Sequence, residues 1–177
     1  MNLLRRIQLV DLLREINMLG TAAEIGVAEG NFSHDLLQAG IPHLYMVDNW
    51  ATIKNVKGDG NFAQHWHDKN FKRAKEQVQE FTDRYKILKG MSTHMATYVA
   101  DESLSMVYLD ADHSYEGALN DLTAWYPKVK PGGIIAGHDY LNPSYGIREA
   151  VSTFTNITPI VIPENNSADA SYYFIKP

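Results

Sequence analysis

Apolar positions along this chain fall into two alternating rhythms. Leu9, Leu12, Leu13 and Ile16 recur at helical spacing and predict an opening amphipathic helix, which Gly20 is placed to end. Thr21 to Ile25 is a short, mostly apolar run that stops at Gly26, and it reads as the first strand. A helix follows, with Asn31 or Ser33 near its cap and Phe32, Leu36 and Leu37 on its buried face. Leu44 to Val47 is a second strand halted by Asp48, and Ala51 to Asn61 reads as a loop. Phe71, Ala74, Val78 and Phe81 mark the next helix, and Tyr85 to Leu88 a third strand. Met91 to Val99 predicts a short helix and Ser105 to Leu109 a fourth strand. The stripe Tyr115, Ala118, Leu119, Leu122, Trp125 and Tyr126 predicts a further helix, with Trp125 in the core. Pro131-Gly132-Gly133 reads as a turn before a fifth strand at Ile134 to Ala136, and Ile147 to Phe154 as the last helix. Ile157 to Ile162 and Ser171 to Ile175 are the final strands, the former an edge strand because it contains Pro159.

Strands alternating with helices imply a mainly parallel sheet covered on both faces. The last two strands are joined only by the polar stretch Pro163 to Ala170, so they are expected to pair antiparallel. The expected architecture is a three-layer α/β/α Rossmann-like fold forming one domain over residues 1–177, with an N-terminal helix within 1–20 and a lid at 49–70. Trp50, His65, Trp66 and His67 in that lid are candidate substrate contacts, although the two histidines read more simply as exposed helix residues.

In open parallel sheets, ligands sit at the carboxyl ends of the strands. Those ends carry Glu24 to Gly30, Asp48, Gly90-Met91-Ser92, Asp110 to His113, and Gly137-His138-Asp139. The first is a strand-to-helix turn of pattern E-x-G-x-x-x-G, in which Gly26 lets the chain turn and Gly30 lets it approach a ligand. It is not the G-x-G-x-x-G of dinucleotide binders, because Ala28 stands at the middle glycine. Asp48, 22 residues after Gly26, ends its strand where a carboxylate can accept both hydroxyls of a ribose. Turn and acid together indicate nucleoside binding.

Ala23-Glu-Ile-Gly-Val-Ala-Glu-Gly-Asn-Phe-Ser33, Met46-Val-Asp-Asn-Trp50, Tyr108-Leu-Asp-Ala-Asp-His-Ser-Tyr-Glu-Gly117, Lys130-Pro-Gly-Gly133 and Gly137-His-Asp-Tyr140 resemble the class I S-adenosylmethionine (SAM)-dependent methyltransferases. The likeness is to the small O-methyltransferase branch of the macrolide-sugar and catechol or caffeoyl-CoA enzymes. It implies a seven-stranded sheet whose last strand is antiparallel. It also implies that Glu24, Gly26 and Gly30 line the methionine of SAM, that Asp48 holds the ribose, and that Gly90, Met91 and Ser92 border the adenine. Where the family often has an acid for the adenine amine this chain has Met91, which leaves the Ser92 hydroxyl for that contact. In catechol-type relatives a divalent metal is held at the positions of Asp110, His138 and Asp139. Here His138 replaces an acid, and imidazole suits Mg²⁺ poorly and transition metals better. The alternative is that His138 and Asp139 only hydrogen-bond loops in the cleft.

His113 resembles the position of the base in the macrolide-sugar enzymes. An imidazole with pKa near 6.5 can take a hydroxyl proton at neutral pH, although a His bonded only to Asp112 or Glu116 is the plainer alternative. The implied reaction is direct displacement on the sulfonium methyl by a hydroxyl that His113 deprotonates, with Asp110 as catalytic partner and cofactor ligand. Competing readings are a nicotinamide-dependent oxidoreductase and a SAM-binding protein without transfer activity.

Composition sets the remaining expectations. The net charge of −5 argues against general nucleic-acid binding, and no apolar stretch is long enough for a membrane helix. Lys54 to Lys89 nevertheless carries nine basic and five acidic residues, either a solvated helix face or a surface that greets an anionic small-molecule substrate. The absence of cysteine excludes disulfides and thiolate metal sites, and with no secretory signal in the charged N-terminus it points to a cytoplasmic protein. Many proteins of this kind pair, so a homo-oligomer is compatible with the resemblance.

Overall fold

The structure, a computed structural model, describes residues 2–54, 61–164 and 169–177. Helix α1 (Leu9–Glu15) precedes strand β1 (Ala22–Ile25), α2 (Asn31–Gln38), β2 (Leu44–Asp48), α3 (Gln64–Val78), β3 (Tyr85–Lys89) and α4 (Ser92–Met95). Then come β4 (Leu104–Leu109), α5 (Tyr115–Trp125), β5 (Val129–Gly137), α6 (Ile147–Phe154), β6 (Ile160–Ile162) and β7 (Ser171–Ile175). The seven strands form one sheet in the order β3-β2-β1-β4-β5-β7-β6. Strands β1 to β5 pair in parallel, and β7 inserts antiparallel between β5 and β6. This is the Rossmann-like methyltransferase arrangement that the sequence led us to expect.

Alternation along each buried strand feeds two cores, one on either side of the sheet. Ala22, Met46, Met106 and Tyr108 pack beneath Leu9, Leu13, Phe32, Leu36, Ala74 and Val78 of α1, α2 and α3. Ala23, Ile25, Val107 and Ile135 pack beneath Met95, Leu122, Trp125, Ala150 and Val151 of α4, α5 and α6. Among the described residues, no helix is long and apolar enough to cross a membrane.

Three local expectations are corrected. Gly30, in the left-handed region at φ 82°, caps α2 in place of Asn31 or Ser33, and no side chain takes that role. Pro131-Gly132-Gly133 lies inside β5, where the register against β4 shifts between Leu104 and Met106, so an irregular bend in the strand replaces the turn. Its backbone stays paired, Gly132 N–H donating to the Lys176 carbonyl at 2.8 Å and Lys176 N–H to that of Gly133 at 2.9 Å. The region expected to be a lid is partly ordinary fold, because α3 starts at Gln64 and Trp50 is only 1% exposed. The stretch 55–60 of that lid lies outside the described residues.

Strand order reverses at β1, so the ends of β1 and β4 form the switch point where such sheets bind ligands. Gly26 makes the exit from β1 there at φ 90°, and a Cβ at this position would collide with the Asp110 carbonyl and the Ala111 backbone. We expect Gly26→Ala to cost roughly 2–4 kcal/mol in urea unfolding, because strain and a backbone clash coincide. Gly132→Ala shares the positive φ but meets nothing within 4 Å, and should cost only about 1 kcal/mol. Equal losses would show that conformational strain alone sets the requirement at Gly26.

Glu24, on the inner side of β1, is 3% exposed, and its carboxylate accepts a hydrogen bond from the Ser33 hydroxyl. Burial pushes this carboxyl up to about 8, the Ser33 bond opposing and the Asp110 charge adding to the rise. An unfolded glutamate ionises near pH 4.3. Between these values the folded protein keeps a proton that the unfolded chain has lost, so this group lowers stability as pH rises from about 4.5 to about 8. Glu24→Gln should therefore match or trail the parent at pH 5 and exceed it at pH 9, by about 1–3 kcal/mol in denaturant melts. An unchanged pH slope in the variant would overturn that reading.

Candidate active site

The carboxyl ends of β1, β2 and β4 meet through their backbones. Gly26 N–H donates to the Val47 carbonyl at 2.8 Å, and Asp110 N–H to that of Ile25 at 2.7 Å. Asp48 then ties its own loop to the glycine turn. Its Oδ2 accepts from Ala28 N–H at 2.9 Å and its Oδ1 from Trp50 N–H at 2.8 Å. Ala28 and Trp50 both occupy the left-handed region, and the Trp50 indole returns a bond to the Ala28 carbonyl at 2.9 Å. Trp50 is therefore the core pin of this turn, a correction to its expected role as a substrate contact. A carboxylate offers about four lone-pair sites, so Asp48 retains acceptor capacity toward the cleft. Gly26, Asp48 and Asp110 thus share one rim.

The glycine turn rests on its supports with little clearance. A Cβ at Gly30 would lie 2.8 Å from the Ala74 Cα of α3, and Arg73 one position earlier pairs with Glu29. Much of the basic character of α3 is solvated helix surface, as in the Lys72–Glu76 pair. Of the two lid histidines, His65 is exposed, whereas His67 is buried, contrary to expectation, and its Nε2 has no partner among the described residues.

At the end of β3, Met91 is exposed and lies beside Asn49, while Gly90 N–H donates to the Asp48 carbonyl at 2.9 Å. The Ser92 hydroxyl, expected to meet an adenine amine, donates instead to Asp121 at 2.5 Å and accepts from the Trp125 indole at 2.8 Å. Asp121 was missed from the sequence, although it falls within the buried stripe Ala118, Leu122 and Trp125. Burial pushes its carboxyl up to about 6, with the Ser92 bond opposing.

The polar cluster lies where β4 and β5 end. His113 Nε2 stands 3.3 Å from Asp110 Oδ1 and 3.1 Å from Asp139 Oδ2. His138 Nδ1 lies 3.4 Å from Asp139 Oδ1 and 3.9 Å from Asp110 Oδ1. The Tyr145 ring stacks on the His113 imidazole at 4.6 Å between centroids. Asp139 reaches this geometry at φ 55°, in the left-handed region. Burial works against charge on His113, yet its hydrogen bonds to Asp110 and Asp139 and their charges prevail and push it up to about 10. Desolvation likewise disfavours ionised Asp139, but hydrogen bonds from His113 and His138 hold it well below the usual carboxylate range. At neutral pH His113 is thus a cationic clamp between two acids. The expected neutral imidazole of ordinary pKa is corrected accordingly.

This cluster also tests the expected metal site. Among the described residues, Asp110, His113 and Asp139 place one donor atom each within 4.8 Å of one another. His113 thus joins the tight set in the place expected for His138, which stands alongside. Two carboxylates with imidazole nitrogen fit a divalent ion of the manganese, iron or zinc type better than magnesium. The residues therefore fit a metal of that kind, its entry requiring His113 to release its proton. The arrangement also contains Arg6, which no motif in the sequence marks. Its guanidinium lies 3.5 Å from Asp110 Oδ2, on the side of that carboxylate away from His113.

Comparison with known proteins agrees with this fold. Residues 23–140 match a family described as a methyltransferase domain. The fold is shared with the O-methyltransferase NovP, at TM-score 0.70 and 21% identity over 96% of this chain and 77% of that one. It is shared with the calicheamicin methyltransferase CalS11 at TM-score 0.68 and 17% identity, over 97% and 80% of the two chains. Cofactor-bound Rv0187 from MTB aligns at TM-score 0.71 and 14% identity, over 96% and 78%. No curated protein sequence matches the chain. The family match spans the glycine turn, Asp48, the Asp110–His113 segment and the His138-Asp139 pair, and the chain belongs to the family of methyltransferase domains, whose methyl donor is SAM.

Proposed function

We propose that this protein methylates a hydroxyl oxygen of a small-molecule acceptor by direct displacement on SAM. The observation that carries the reading is the Asp110–His113–Asp139 cluster standing beside the glycine turn at the β1/β4 switch point. Methyl transfer asks the protein to aim a nucleophile along the S–CH₃ bond, exclude water and take up one proton. Gly26 and Gly30 let the turn pack on the end of β4 and on α3 and so set the backbone beside the cofactor, Asp48 accepts the ribose hydroxyls, and Met91 flanks the adenine. Ser92 supports that wall through Asp121 and Trp125.

His113 takes the proton of the acceptor hydroxyl in its neutral form. Because its own proton is held tightly between Asp110 and Asp139, that form grows as pH rises toward about 10. In place of that base, a divalent ion held by Asp110, Asp139 and His113 would supply Lewis acidity to the acceptor oxygen.

The donor is tested first. SAM should raise the melting temperature of the full chain and NAD should not, since only a ligand of the folded state stabilises it by mass action. Turnover on a panel of phenols, sugars and amines is then followed as S-adenosylhomocysteine release. His113→Ala should lower the hydroxyl rate by about 10²–10⁴-fold while leaving S-adenosylhomocysteine affinity within a few fold. In the parent the rate should climb with pH through the neutral range, and Mn²⁺ should move that rise to lower pH. Undiminished turnover in the variant would sink the base assignment, and methylation of amines alone would sink the oxygen acceptor.

A further inference from the structure

The segment before α1 carries a cation into the cleft. Arg6 opens a short helical turn, Arg6–Gln8, and its backbone N–H donates to Glu164 Oε1 at 2.6 Å. Glu164 also accepts from Ser171 Oγ at 3.0 Å, and that hydroxyl lies 2.8 Å from the Tyr108 phenol. The guanidinium carbon stacks 4.3 Å from the Phe32 ring centroid, and Nη1 reaches the Tyr108 oxygen at 3.5 Å. Arg6 is therefore fixed at its backbone by the chain leading into β7, and at its head by rings from α2 and β4. Phe32 is the second residue of α2, two positions after the Gly30 cap, so the cation stands within one turn of the glycine loop.

Its charge is incompletely matched. Arg6 Nη1 and Asp110 Oδ2 are 3.5 Å apart, well beyond the ~2.7–2.9 Å of a good charge-assisted bond, and their side chains are 30% and 24% exposed. Asp110 divides the site, with Oδ2 toward Arg6 and Oδ1 toward His113 and His138. One side is the reaction cluster. The other presents an unclosed cation–anion pair next to the glycine loop. The α-amino-acid end of SAM bears an ammonium and a carboxylate on one carbon, which is the complement of such a pair. We propose that Arg6 binds the methionine carboxylate of the cofactor while Asp110 Oδ2 takes its ammonium, so that the Arg6–Asp110 pair is exchanged crosswise for a four-charge set.

This assignment rests on the methyltransferase reading and adds a cofactor-binding residue outside the family's glycine and acid motifs. A guanidinium suits the role because its planar fork can hold a carboxylate through two parallel bonds. Among the described residues no side chain bonds the first turn of α2 at its Gly30 cap, so the backbone N–H groups of that turn suit the same anion.

The test compares two ligands by calorimetry on the full chain. S-Adenosylhomocysteine carries the amino-acid end, and 5′-methylthioadenosine is the same nucleoside thioether without it. Arg6→Gln should weaken S-adenosylhomocysteine roughly 10–100-fold and leave methylthioadenosine within about twofold, with Arg6→Lys recovering part of the loss. Methylthioadenosine binding shows that the variant is folded. Equal weakening of both ligands would make Arg6 a structural residue and overturn the proposal. So would unchanged affinity for both, including the case where only the acceptor KM rises. If the parent bound neither ligand, the methyltransferase reading would fall too; if it bound both and Arg6→Gln left their ratio unchanged, only the Arg6 assignment would fall.

Discussion

Two backbone turns leave adjacent parallel strands at the switch point of the sheet, and nothing separates them. The Gly26 turn lies against the Asp110 carbonyl so closely that no side chain fits between. That contact fixes the distance from the glycine turn to the cluster at the end of β4. It depends in turn on hydrogen bonds that continue the β1 ladders one residue past the strand on both sides. Asp48 extends the same frame by holding Ala28 and Trp50 in left-handed conformations that neither would adopt unaided. The cleft is a consequence of backbone geometry before any side-chain chemistry enters.

Charge is the second organising constraint. Glu24, Asp110 and Asp139 bring three acids to one end of the sheet, and isolated burial of such groups is costly. Each finds a different remedy. Glu24 keeps its proton into the neutral range beneath the turn, with Ser33 as its partner. Asp139 stays ionised because two imidazoles face it. Asp110 is shared between His113 on one oxygen and Arg6 on the other.

The shared fold with NovP, CalS11 and Rv0187 speaks to architecture, because identities of 14–21% leave the side chains of the site largely free to differ. Function on such a scaffold is decided by a handful of groups at the carboxyl edge. In this chain the pair at the end of β5 is His138-Asp139 and Met91 follows β3, so the carboxyl edge has its own chemistry within a common frame.

The strand and helix rhythm was legible in the chain because each element buries a face whose period shows in the residues themselves; α6 and β7 coincide with their expected bounds. The glycines and acids at strand ends were legible for a similar reason, since a turn that needs positive φ or a free carboxylate selects few residue types. What the sequence could not decide was partnership across long separations. Trp50 looked available for substrate until Ala28 and Phe71 enclosed it, and the Ser92 hydroxyl looked free until α5 brought Asp121 to it. Pro131 to Gly133 carries turn chemistry, yet the C-terminal strand supplies the hydrogen bonds that keep it in the sheet. The proton on His113 and the presence of Arg6 were likewise decided only in three dimensions. Electrostatic shifts depend on distances between groups far apart in the chain, and local pattern carries no record of those distances.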